Sequence, residues 1–144
     1  MRKPTHWARL VPELLVTDIE RSLDFFVNVI GFEILYGRPE EGFVYLELEG
    51  AQIMLERSED SLWVAAPMEQ PLGRGINLRL QVSTVEPVLG RLLLRNWPLF
   101  RNLHDAWYQT GDVESGYRQF LVQCPDGYLL RLFEELGERP VEAA

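Results

Sequence analysis

The chain has 144 residues, is 47% hydrophobic and 25% charged, and carries a formal net charge of -8 with a sequence pI near 4.8. That composition supports a folded domain with a sizeable core and excludes a disordered polymer. The acidic balance argues against nucleic acid and against anionic membranes as partners, because both call for a basic surface.

Cys124 is the single cysteine, so no intrachain disulfide can form, and no apolar run is long enough to span a bilayer. Residues 1–9 are polar and show no signal-peptide core, so a cytoplasmic protein is expected.

Residues 10–16 form a short apolar run that reads as a strand. Asp18 follows as a helix N-cap, and Ile19, Leu23, Phe26, Val27 and Ile30 recur at helical spacing. Gly31 then closes the helix. Three strands are expected at 32–36, 43–48 and 51–56, punctuated by residues 39–42 and by Glu49-Gly50. The first half therefore reads β-α-β-β-β.

Residues 58–74 contain Pro67, Pro71 and Gly73, show no period, and read as a linker. The same order then begins again. Residues 76–82 alternate as a strand, and Ser83-x-x-Glu86 fits a capping box. Val85, Val88, Leu89 and Leu92 form a helical stripe, and residues 99–103 read as a strand. Residues 107–116 read as a polar excursion. Strands at 117–123 and 128–133 flank the turn Pro125-Asp126-Gly127, and residues 134–144 read as a frayed tail. The chain is thus an α+β domain spanning 1–144, with module 1 at about 9–57, a linker at about 58–74 and module 2 at about 75–136.

Apolar alternation fixes which side of each strand meets its covering helix. Leu14, Val16, Val44, Leu46, Ile53 and Leu55 take that side in the first half; Leu78, Leu80, Phe120, Val122, Leu130 and Leu132 take it in the second. The opposite face carries Val11, Glu13, Leu15, Phe43, Tyr45, Glu47, Gln52, Met54 and Glu56 in the first half. In the second it carries Asn77, Arg79, Gln81, Tyr117, Gln119, Leu121, Gln123, Leu129, Arg131 and Phe133. Aromatic, polar and charged groups are mixed there. That mixture suits a cleft for an amphipathic molecule; the alternative is a solvent face laced with ion pairs.

The stretch Pro12-Glu13-Leu14-Leu15-Val16-Thr17-Asp18, with Ser22, Phe25-Phe26 and Gly31-Phe32, resembles the opening signature of the glyoxalase/bleomycin-resistance/extradiol-dioxygenase (vicinal oxygen chelate) superfamily. Arg118 to Val122, followed by Pro125-Asp126-Gly127-Tyr128-Leu129-Leu130-Arg131, resembles its closing signature. The resemblance implies two βαβββ modules forming a curved, cup-shaped mixed sheet around a cavity. It also implies metal-ligand positions on the first and last strand of each module, which register maps to Val11, Glu56, Asn77 and Arg131. Val11 cannot ligate, Asn77 is a poor ligand, and Arg131 would repel a cation, so one carboxylate is left and no metal or other cofactor is expected. His6 and His104 fall outside those positions.

The resistance branch of the superfamily sequesters a cationic glycopeptide drug between two chains without altering it. By this resemblance the chain is expected to be a homodimeric, metal-free binding protein for a cationic or amphipathic ligand, bleomycin-like drugs included. The alternative is a glyoxalase- or dioxygenase-type enzyme with a non-standard or absent metal site, and the sequence names no catalytic residue. The expected ligand-binding residues are Glu13, Phe43, Tyr45, Glu47, Met54, Glu56, Trp63, Asn77, Arg79, Trp107, Tyr117 and Arg131. On this reading Glu56→Gln and Trp107→Ala weaken binding and spare thermal stability.

Overall fold

A computed structural model describes residue 4, residues 6–59 and residues 61–142. The chain divides into two compact units. The first runs to Ile76 and takes in the turn Cys124–Tyr128; the second comprises Asn77–Gln123 and the chain from Leu129 onward. Each is built on one four-stranded mixed sheet, so the α+β reading stands.

In the first unit β1 (Glu13–Val16) leads into α1 (Ile19–Leu23), which continues as a π-helical segment over Asp24–Ile30. β2 (Glu33–Arg38), a 3-10 turn (Pro39–Glu41), β3 (Phe43–Leu48) and β4 (Ala51–Arg57) follow. The strand order is β1-β4-β3-β2, with β1 parallel to β4 and the rest antiparallel.

Asp18 caps the helix as expected, accepting from the Arg21 amide at 3.1 Å. The buried stripe keeps helical spacing but is shifted from the expected set. Ser22, Phe25, Phe26, Val29 and Ile30 are buried, whereas Ile19, Leu23 and Val27 are only partly so. The Gly31 amide closes that segment on the Phe26 carbonyl at 3.0 Å, with φ of 111°. Gly31→Ala is expected to lower the unfolding free energy by about 1–2 kcal/mol in urea titration, because a Cβ is strained in that conformation.

The second unit repeats the order. β5 (Asn77–Gln81), α2 (Glu86–Leu94), β6 (Arg101–Thr110), β7 (Val113–Gln123) and β8 (Leu129–Pro140) form a sheet ordered β5-β8-β7-β6.

α2 starts at Glu86 with Val85 at its cap position, and the Val85 amide donates to the Glu134 carboxylate at 3.1 Å. Two expectations are corrected here. The polar excursion at 107–116 is the end of a long β6–β7 hairpin, paired from His104↔Gln119 out to Thr110↔Val113. Residues 134–140 of the supposed tail are the outer half of β8, paired with β7 as far as Val113↔Pro140, and residues 143–144 lie outside the described residues. These outer strands lack the apolar alternation that reveals a strand in sequence.

Candidate functional site

In each sheet the face that meets the helix is the dry core, holding Val16, Leu46, Leu55, Phe26 and Ile30 in the first unit and Leu80, Val88, Phe120, Leu130 and Leu132 in the second. The opposite face holds the polar and aromatic mixture.

In the first unit, register sets Glu13, Met54, Tyr45 and Tyr36 in one transverse row and Leu15, Glu56, Phe43 and Arg38 in the next. Tyr36 reaches this face through an irregularity between Ile34 and Tyr36 that places Leu35 in the same buried cluster as Phe43 and Tyr45. Val11 and Met54 pack against that cluster. Tyr36 and Tyr45 stack with ring centroids 5.2 Å apart, and Trp7 meets both edge-on, at 6.0 and 5.2 Å. Trp7 keeps 51% of its surface exposed, so this aromatic group is open on one side.

Gln52 holds the arrangement. Its Oε1 accepts from the Tyr45 hydroxyl at 2.6 Å and from the Ala8 amide at 2.8 Å. Its Nε2 donates to Glu47 at 2.9 Å and to the His6 carbonyl at 3.0 Å. Glu47 is therefore a buried anchor for Gln52, which in turn pins the segment carrying Trp7.

Glu13 lies beside Glu56 across the parallel β1–β4 pair. A hydrogen bond with Glu56 raises the Glu13 carboxyl to about 7; burial and repulsion by the Glu56 charge add to the shift, and Arg38 opposes it. Such a bond between carboxyls needs a proton between them, so the pair holds one near neutrality. Glu13 lies outside the four mapped ligand positions and adds a second carboxyl beside Glu56. Among the described residues no three His, Cys, Asp or Glu side chains are grouped to hold a metal ion.

The second unit has a different character. One row reads Arg79, Arg131, Leu121, Arg101 and the next Gln81, Phe133, Gln119, His104. The Arg79 guanidinium lies 3.8 Å from the Phe133 ring centre and 4.5 Å from that of Tyr117. Asn77 shares this face, at the β5 end of a row with Leu129 and Gln123. Gln119 is 2% exposed; its Nε2 donates to His104 Nε2 at 3.0 Å and to the Tyr108 hydroxyl at 2.9 Å. His104 Nε2 is then the acceptor, which leaves its Nδ1 to donate to the Asn102 carbonyl at 2.8 Å.

Trp107 is not on this face. It pairs with Gly116, next to Tyr117 and therefore on the other side of the sheet, and its ring lies beneath Arg139 at 4.1 Å. Trp107→Ala, expected from sequence to weaken binding, is therefore expected to leave binding at this face unchanged. Trp63 lies in the irregular segment after β4, 74% exposed and away from the stacked tyrosines' own strands.

Cys124 is buried in the β7–β8 turn, and burial pushes its thiol up to about 11. Near pH 8 only about 0.1% would be thiolate. The folded protein is expected to resist a thiol-specific reagent there and to react at once when denatured.

Of the residues expected from sequence, Glu13, Phe43, Tyr45, Met54 and Glu56 share these two rows; Trp7 and Tyr36, which were not expected, join them. Trp7 lies before any regular element, and a one-residue irregularity hides Tyr36 from parity counting.

Two βαβββ units, each with a helix on one sheet face and a mixed polar and aromatic face opposite, define a paired-module α+β protein. No family model matches the chain. It is 24% identical to a bleomycin resistance protein of Geobacillus stearothermophilus over 139 residues, covering 88% of this chain and 96% of that one. A glyoxalase/bleomycin resistance protein/dioxygenase superfamily member from Vibrio splendidus 12B01 is 39% identical, over 88% of this chain and 97% of its own, with a TM-score of 0.41. TioX from Micromonospora sp. ML1 shares the fold, with a TM-score of 0.69 at 24% identity over 90% of this chain and the whole of its own. The chain is similar in sequence to bleomycin resistance proteins and shares its fold with solved glyoxalase/bleomycin resistance protein/dioxygenase structures. No helix among the described residues is long and apolar enough to cross a membrane.

Proposed function

We propose that the chain is a metal-free binding protein that sequesters a cationic or amphipathic small molecule, as a homodimer in the cytoplasm. The observation that carries this reading is the Glu13–Glu56 carboxyl pair beside the open aromatic group of Trp7, Tyr36 and Tyr45. A carboxyl raised towards neutrality by a second carboxyl reports a local negative potential. Aromatic faces beside that potential attract a flat or cationic group. Phe43 and Met54 supply apolar contact in the same two rows. The relatives' name makes bleomycin the first compound to test.

The test is calorimetric titration of metal-free protein with bleomycin, with tryptophan fluorescence followed in parallel. Sub-micromolar binding with quenching supports the reading; the absence of both heat and quenching removes it. A second reading has its own observation. A carboxyl near 7 is also suited to exchanging a proton with a substrate. Mass spectrometry of the recovered drug separates the two: an unchanged mass means sequestration and a changed one means catalysis.

A further inference from the structure

Among the described residues, three buried side-chain polar atoms lack a hydrogen-bond partner, and two of them share one sheet face in the second unit. They are Arg131 Nε, a donor, and Gln119 Oε1, an acceptor. Register makes them diagonal neighbours, because Leu121 pairs with Arg131 and Gln119 with Phe133. Diagonal neighbours stand about 7 Å apart, a gap that a small polar group fills. An unmatched buried polar atom forfeits its hydrogen bond to water without gaining another, so two side by side call for a molecule that satisfies both.

The charge around them is one-sided. Arg79, Arg131 and Arg101 lie in a single row, and none of the three forms an ion pair among the described residues. Three unpaired guanidinium groups in one row are out of keeping with a chain of net charge -8. The rings of Phe133 and Tyr117 hold Arg79 in place, and Leu121 and Leu129 flank Arg131 on the same face. Glu135, the register partner of Tyr117, is the nearest acid on this face of β8 and lies two rows from Arg131.

We propose that this face binds a small carboxylate that carries a hydroxyl or amino donor on the adjoining carbon and an apolar body. The carboxylate takes the Arg131 Nε–H and the neighbouring guanidinium charge, the adjoining donor bonds to Gln119 Oε1, and the body lies on Leu121 and Phe133. The site is opposite in charge to the Glu13–Glu56 face and does not rest on the reading given for it.

The probes are mandelate, phenylacetate, which lacks only the hydroxyl, and inorganic phosphate. The readout is the arginine Nε–H and glutamine amide resonances of the 15N-labelled full chain. The expected result is saturable mandelate shifts at Arg131 and Gln119, with phenylacetate about tenfold weaker, the value of one hydrogen bond. Arg131→Lys keeps the charge but loses the Nε–H, and is expected to weaken mandelate by a similar factor. Equal binding of mandelate and phenylacetate overturns the proposal, as does saturation by phosphate at the same concentrations. So does the absence of any shift up to about 10 mM of each probe, the range of the weakest specific complexes. The mandelate–phenylacetate comparison needs no variant, so poor folding of Arg131→Lys leaves the test intact.

Discussion

Replacing Asp126 by alanine is expected to lower the unfolding free energy by about 3 kcal/mol, the largest effect foreseen for a single polar side chain here. Asp126 is buried in the β7–β8 turn, yet all its partners belong to the first unit. Its carboxylate accepts from the Thr17 amide at 2.9 Å, from the Thr17 hydroxyl at 2.6 Å and from Gln70 Nε2 at 3.0 Å. Hydrogen bonds to a charged acceptor contribute roughly 1.5–3 kcal/mol each, but these three share one group, and the exposed Thr17 can turn to water.

The same turn is tied down twice more. The Leu72 amide donates to the Asp126 carbonyl at 2.8 Å, and the Tyr128 hydroxyl donates to the Leu15 carbonyl at 2.8 Å. Gly127→Ala probes this packing by a different route. Its φ is 101°, and an added Cβ would come 2.4 Å from Pro71 Cβ and 2.8 Å from Pro71 Cα. Backbone cannot swing aside as a flexible side chain can, so a loss of about 2–4 kcal/mol is expected. Urea titration gives both numbers, and hydrogen exchange should locate the loosening at the Thr17 and Leu72 amides. Unchanged exchange there in both variants would mean that the turn does not lock the β1–α1 junction.

The Asp126-Gly127 pair shows what the sequence did and did not disclose. Pro125-Asp126-Gly127 is legible as a turn because Gly supplies the positive φ and Asp favours local bonding. That its carboxylate reaches the residue after β1 is a long-range fact with no local signal. The same division holds elsewhere. β3 falls at residues 43–48 as expected, and Asp18 and Gly31 bound the first helical segment, because alternation and caps are local. The π turn in that segment and the outer halves of β7 and β8 are set by packing and pairing partners, which short-range patterns do not encode. In the candidate site, parity placed Glu13 and Glu56 on one face. Their partnership required knowing that β1 lies beside β4, and Trp7 required knowing that Gln52 would hold residues 6–8 against the sheet.

Glu56→Gln is expected to abolish most of the pH dependence of the first-sheet face and to weaken binding of a cationic ligand there by about tenfold or more. The sign follows from Glu13, whose carboxyl in the folded protein sits near 7 against an ordinary value of 4.5. Between those values the folded chain holds a proton that the unfolded chain has released. The pair therefore favours folding on the acid side, and that contribution is lost as pH rises through 7. Glu13 is exposed, so solvent screens the effect and leaves about 1 kcal/mol.

Ligand binding runs the other way. A cation stabilises the doubly ionised pair and expels the shared proton, so affinity increases as pH rises through 7 and proton release accompanies uptake below it. An amide at position 56 removes one charge and can donate to Glu13, which returns that carboxyl towards its ordinary range. Carbon-detected NMR of the Glu13 carboxyl reads the titration directly. Calorimetry with bleomycin in buffers of different ionisation enthalpy reads the released proton. A Glu13 carboxyl that titrates at its ordinary value in the unaltered protein, with affinity flat across neutrality, would remove the shared proton and with it the main support for a cationic ligand at this face.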